Sequence, residues 1–366
     1  MSDPSQLPYG GAGDSEAGGE TSLAPRFRRH ADALARSHRS PLYVRLMRAA
    51  ADDLAAGGVV ANLFDGVATP PGSVPQLRLL AALHHLVLAG EAPALAAFYP
   101  SVGGTQPPEE VWPATRVTVL EHFDWLRGRV ARTVQTNEPG RSAVLYPALL
   151  WLTARHGRPI RLLEIGASAG LNLQADRYAY RVGPLTLGDP ASPLEFVEPW
   201  APPPPVDLAS AAAALHIAAR AGCDLAPLDP SRPDDQLTLL SYIWPDELDR
   251  IDRLRAALSV AARDPVRVAP APASEWLPTA IDAAGERDLV VVWHSVMRQY
   301  VDAEEWAAIE AVLCARPHVI RLSMEPSRDD PLGRQRLSLQ EHPDAAEITL
   351  ARAGDHGLPI SWEAAP

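Results

Sequence analysis

The chain has 366 residues, 47% of them hydrophobic and 21% charged, with a formal net charge of −12. That length exceeds one small core and points to two lobes, and the acidic balance argues against a nucleic-acid partner, which needs a concentrated basic face. All 33 basic residues are arginine, which excludes a Schiff-base lysine, a pyridoxal phosphate anchor and a phosphate-loop lysine. The two cysteines, Cys223 and Cys314, form no C-x-x-C motif, which argues against a disulfide framework or a cysteine zinc site; no metal is expected.

Residues 1–22 are rich in Gly, Ser, Asp and Glu, lack apolar periodicity and read as a disordered tail. No basic-then-apolar leader opens the chain, and no apolar run approaches the ~20 residues of a membrane helix. The expectation is a cytoplasmic protein without a membrane partner. The cluster Arg26, Arg28, Arg29 and His30 reads as a solvated helix start.

Residues 23–157 read as a helical lobe. Helices are predicted over 27–35, 41–56, 76–89, 115–134 and 142–155. The fourth places Val119, Phe123, Leu126 and Val130 on one face, and His156-Gly157 stops the fifth. Strand character starts at Ile160. Candidate strands are 161–165, a hairpin within 178–187, a short strand before Gly222-Cys223-Asp224, then 266–269, 289–293, 318–324 and 348–351. Helices at 208–219, 246–262, 274–284 and 303–315 separate most of them. This alternation predicts an α/β domain over 158–366, a Rossmann-like, doubly wound, mainly parallel sheet. It carries a hairpin and Pro-rich insertion near 178–207, where Pro202 to Pro205 make a stiff linker. Strand 161–165 is expected at the centre, beside 289–293.

The first strand carries Glu164 and runs into Gly166-Ala167-Ser168-Ala169-Gly170, followed by an amphipathic segment expected to be a helix. Two readings compete. The loop spells G-x-S-x-G, the nucleophile elbow of α/β-hydrolases, and the order Ser168, Asp329 or Asp330, His356 permits a triad. An elbow, however, follows the fifth strand of its sheet, whereas this loop follows the first. The loop is also similar to the acid-x-Gly-x-Gly-x-Gly loop of class I S-adenosylmethionine-dependent methyltransferases, with Ser168 in place of the middle glycine. That resemblance implies a cofactor floor of Gly166, Ala167, Ser168 and Gly170, with Glu164 and Asn172 beside it. Gly222-Cys-Asp224-Leu-Ala-Pro227 looks like the end of the second strand in such enzymes, where the carboxylate takes both ribose hydroxyls. The structural alternative is an aspartate that caps the next helix. Residues 269–274 lack the aspartate that those enzymes often place near adenine.

The fourth strand runs into His294, Ser295, Arg298 and Tyr300, at the edge where a parallel sheet binds ligands. His294 is a candidate base, with Tyr300 beside it, or else a cap of the following turn. Glu325 lies at the same edge after the next strand. Asn137, Glu138 and Arg141 are candidates for reaching over the crevice from the helical lobe, or for a plain turn and N-cap. Trp244 reads as a packed helix-start residue.

Together these stretches resemble a bacterial family known as domain of unknown function 2332. The resemblance rests on Thr136-Asn-Glu-Pro-Gly-Arg141, on Leu163-Glu-Ile-Gly-Ala-Ser-Ala-Gly-Leu-Asn-Leu173 with Asp176-Arg177-Tyr178, and on Gly222-x-Asp224-x-x-Pro227-x-Asp229. It extends to Trp244-Pro245, His294-Ser295 with Tyr300, and His356-Gly357 with Trp362. It implies a methyltransferase-like sheet and assigns no activity. The function expected from the residues is binding of S-adenosylmethionine and methylation of a small-molecule substrate. The rivals are a serine hydrolase using Ser168 and a non-catalytic binding module on the same fold.

Overall fold

A computed structural model describes residues 22–70, 72–327, 329–330 and 332–363. The expected tail, all but its last residue, lies outside the described residues. The chain divides into two compact units, Met1–Thr136 with Pro233–Asp252, and Asn137–Arg232 with Arg253–Pro366.

The first unit is helical. Helices Leu23–Arg36, Pro41–Ala55, Pro75–Leu88, Val111–Glu121 and Phe123–Val130 share a core that includes Phe27, Met47, Leu83, Leu86 and, from the returning segment, Trp244. Two of these helices start with proline, whose missing N–H costs nothing at a first helical position. The single helix expected over 115–134 is instead two, because His122 leaves the helical conformation (φ −114°, ψ 26°) between them. Trp244 is buried, with the Arg39 guanidinium 4.4 Å from its ring centroid. The helix Pro233–Ser241 was not foreseen.

The second unit is mixed α/β. Its strands are β1 (Ile160–Ile165), β2 (Ala179–Val182), β3 (Leu185–Gly188), β4 (Glu195–Val197), β5 (Ile217–Asp224), β6 (Val268–Pro270), β7 (Leu289–Ser295), β8 (Ile320–Pro326), β9 (Gln335–Gln340), β10 (Ile348–Ala353) and β11 (Ile360–Trp362). Eight form one sheet in the order β11-β10-β9-β8-β7-β1-β5-β6, and β3-β2-β4 form a second. From β6 to β8 the pairings are parallel; β9, β10 and β11 add an antiparallel meander. β1 is internal, between β7 and β5, as expected, and it is the first strand among the described residues. No described helix is long and apolar enough to cross a membrane.

Alternation along β1 and β7 sends Leu163, Ile165, Val290 and Val292 to one face. There they meet Leu277 and Ile281 of helix Ala273–Asp282 and Ile309 and Leu313 of helix Ala303–Cys314. Leu162, Glu164, Val291 and Trp293 therefore face the other way. Helix Ser142–His156 belongs to this unit, so the division falls before Asn137 rather than at 157. Residues 142–153 of that helix are all buried, and a helix with no polar face has to be enclosed. Each large apolar side chain so covered contributes about 1.5–3 kcal/mol. Tyr146 stacks on Tyr180 of β2 at 4.2 Å, and the Trp200 indole donates to Ala143 O at 2.8 Å.

Three other expectations change. The helix predicted over 208–219 ends at Ala214, because Ile217 already pairs with Ile160. β9 and β11 were not foreseen. The segment after the glycine loop is a six-residue 3-10 turn, Asn172–Arg177, with Gln174 out of helical conformation. Side chains take the carbonyls that would have continued a helix. Tyr178 Oη donates to Leu171 O (2.7 Å), Arg220 Nη1 to Leu173 O (2.9 Å) and Tyr180 Oη to Ala175 O (2.8 Å).

Candidate functional site

The polar residues singled out in the sequence converge on the carboxyl ends of β5, β1, β7 and β8, all within the second unit. Glu164 of β1 is level with Gly222 on β5 and Trp293 on β7. The loop after β1 turns sharply, with positive φ at Gly166 (68°), Ser168 (50°) and Gly170 (73°). It packs so closely over β5 that a Cβ on Gly222 would lie 2.6 Å from Ala167 Cβ, which real side chains do not tolerate.

The loop is buried apart from Gly166, and buried amides need acceptors. All five amides from Ala167 to Leu171 find theirs within the chain. Ala167 N–H donates to Cys223 O (3.0 Å) and Gly170 N–H to Ala167 O (2.7 Å). Ser168 N–H donates to Asp224 Oδ2 (3.0 Å), while Ala169 and Leu171 donate to Asn137 Oδ1 at 3.2 and 2.9 Å. The expected open cradle of loop amides at a helix N-terminus is thus corrected. The chain fills it with its own oxygens, and the following 3-10 turn is too short to present a helix end. Asp224 also accepts from Ala226 N–H at 3.0 Å, so it ties the glycine loop to the turn after β5, whereas the structural alternative had it capping the next helix, which starts only at Pro233. Asn137 holds the loop from the other side.

Glu164 is 1% exposed and its Oε2 has no hydrogen-bond partner. Burial pushes its carboxyl up to about 8, against the opposing influence of Asn172, Arg141 and Trp293. Asn172 is itself fixed, accepting from Ser142 Oγ at 2.9 Å.

The β7 side is arranged differently. His294 Nδ1 lies 2.7 Å from Glu325 Oε1, and the same oxygen accepts Met297 N–H (3.1 Å) and Arg298 N–H (3.3 Å). The His294 ring meets Trp306 edge to face at 5.4 Å, and Arg298 lies over the same indole at 4.6 Å. Arg141 Nη1 donates to Ser295 O at 3.2 Å. Tyr300 is 48% exposed and stands in the field of Arg141 and Glu325.

Glu138 is buried and accepts from Gly140 N–H at 3.0 Å, with His356 Nδ1 3.8 Å away and Arg253 Nη1 3.9 Å away. Gly140 and Gly357 are glycines because they touch: a Cβ on Gly357 would lie 2.1 Å from Gly140 O. Asn137, Glu138 and Arg141 therefore hold the second unit together around this turn rather than reaching across from the helical one. Of the triad considered for a hydrolase, Asp330 is engaged by Arg334 (2.9 Å) and Arg352 (3.3 Å), neither of them an imidazole.

Residues 24–362 match the model of a family described as uncharacterized protein conserved in bacteria (DUF2332). The chain belongs to the DUF2332 family. No curated protein and no solved structure matches it. In this DUF2332 chain the sequence reading missed Met297 and Trp306. Met297 lies against the loop, its Cβ 3.2 Å from where a Cβ on Gly166 would be. The signal available for both was their spacing from His294 on an apolar background, which core packing produces equally well.

Proposed function

We propose that this DUF2332 protein binds S-adenosylmethionine over the carboxyl ends of β1, β5 and β7 and transfers its methyl group to a small molecule. One observation carries the reading. The parallel strands run β6-β5-β1-β7-β8, so the chain order reverses at β1, and open α/β sheets bind ligands outside the strand ends where the order reverses. The assignment to a Rossmann-like, methyltransferase-like class is part of this reading. Gly166, the exposed point of the loop, marks the entrance. Glu164, Asp224 and the loop flank the cofactor, and His294 and Tyr300 face the acceptor. The cofactor supplies an electrophilic methyl group on a sulfonium; in-line displacement at such a carbon depends mainly on positioning, which a rigid sheet edge provides.

A second reading, a non-catalytic binding module, is favoured by the five loop amides already paired within the chain. Calorimetry and thermal-shift measurements with S-adenosylmethionine and S-adenosylhomocysteine decide between them. Saturable heat and a raised melting temperature are expected. No response to either ligand at millimolar concentration would falsify the cofactor assignment and leave the binding module.

A further inference from the structure

We infer that the acceptor is a hydroxyl compound, deprotonated by His294, and that Glu325 is the positioning residue that holds His294 in the basic tautomer. The inference rests on the methyl-transfer reading above. Its geometry is the 2.7 Å contact between His294 Nδ1 and Glu325 Oε1.

A carboxylate only accepts, so at this distance the imidazole carries its proton on Nδ1, and the lone pair is left on Nε2. The carboxylate is itself fixed. Oε1 takes two backbone amides as well as the imidazole, while the buried Oε2 has no hydrogen-bond partner. His294 and Glu325 come from adjacent parallel strands, β7 and β8, so the sheet sets their spacing. The edge-on indole of Trp306 limits rotation of the ring. The His294 side chain keeps 14% of its exposure, so solvent reaches it.

An imidazole backed by a carboxylate raises the rate only where a proton must leave in the transition state. Thiols, with a pKa of about 8.5, reach the thiolate with little help, and an amine that has lost its ammonium proton to solvent before the step attacks with a free lone pair. A hydroxyl does neither. In the step inferred, the acceptor O–H bond breaks and its proton goes to His294 Nε2. An O–C bond forms to the methyl carbon. The C–S bond of the sulfonium donor breaks, its electron pair stays on sulfur, and S-adenosylhomocysteine is the second product.

Nitrogen-15 NMR of the histidine rings tests the positioning without any ligand. The wild-type His294 ring is expected as the Nδ1–H tautomer, and Glu325→Gln is expected to give a mixture or the Nε2–H form. An Nε2–H ring in the wild type, or a ring unchanged by Glu325→Gln, overturns the role of Glu325. The acceptor class is tested with radiolabelled S-adenosylmethionine against phenol, benzyl alcohol, benzylamine and benzyl mercaptan. Transfer to a hydroxyl probe is expected, falling at least about 100-fold in His294→Gln while S-adenosylhomocysteine binds both proteins within about twofold. Transfer to the amine or thiol alone, undiminished transfer in His294→Gln, or no transfer by a protein that binds S-adenosylhomocysteine overturns the hydroxyl acceptor and leaves the cofactor reading standing. If S-adenosylhomocysteine does not bind, both fall.

Discussion

On the β5 side of β1, Asn137 and Asp224 give their oxygens to the amides of a buried loop. On the β7 side, one oxygen of Glu325 takes the amides of Met297 and Arg298 and also holds an imidazole, His294, that stays partly exposed and carries no backbone amide in the hydrogen bonds described above. The residue types are those a binding site needs in both places, yet their engagements differ. Where a polar side chain satisfies buried backbone, its removal damages the fold. Where it satisfies none, as with His294, its removal damages chemistry and leaves the fold nearly intact.

The sharpest way to break this contrast is Asn137→Ala. It leaves the amides of Ala169 and Leu171 buried without an acceptor, at about 1–3 kcal/mol each, so urea denaturation should show a loss of roughly 2–6 kcal/mol. A loss below about 1 kcal/mol would mean that water or a ligand can replace Asn137, and the two flanks would then be alike. Next is the pH dependence due to Glu164. Its carboxyl is pushed from its ordinary 4.5 up to about 8 by burial, so between those values the folded chain keeps a proton that the unfolded chain has lost. The stability contributed by the neutral form is complete below about pH 4.5 and is lost as pH rises through about 8, with a slope of up to about 1.4 kcal/mol per pH unit. Glu164→Gln should flatten that slope in melts from pH 5 to 8; an unchanged slope would show that Glu164 ionises freely.

Asp224→Asn keeps one accepting oxygen, so one of its two amides loses its partner and stability should drop about 1–2 kcal/mol. Unchanged thermal unfolding together with weakened S-adenosylhomocysteine binding would move Asp224 to the ligand-facing class. The smallest effect is expected for His294→Gln. Its ring satisfies no backbone group in the hydrogen bonds described above, and unfolding should stay within about 1 kcal/mol of wild type. A larger loss would make the pair with Glu325 structural.

What could be read from the chain follows from how local its cause is. β1 and β7 are short, mostly apolar runs, legible because burial on both faces leaves few polar positions. β9 was missed because Gln335, Arg336, Ser338 and Gln340 dilute its two leucines, and β11 because three residues carry no pattern. The turn after the glycine loop has helical spacing, but Tyr178, Tyr180 and Arg220 capture its carbonyls from outside the segment. The residues at the sheet edge were visible singly. Their pairing was not, since His294 and Glu325 meet through the parallel register of β7 and β8, and Asn137 meets the loop amides from 32 and 34 residues away in the chain.

The helical unit is interrupted in sequence: Trp244 joins the core of Phe27 and Met47, although β1 and β5 come between. On the ribosome, this unit stays incomplete until Asp252 has emerged. By then β1 and β5 have been synthesised, but β7, the other neighbour of β1, has not. The nascent chain can thus close its helical core while six of the eight strands of its main sheet are still unmade, and no single cut yields either unit whole. A fragment ending at Thr136 would expose the apolar surface that Trp244 covers, so isolating the helical unit calls for a grafted segment 233–252 rather than a truncation.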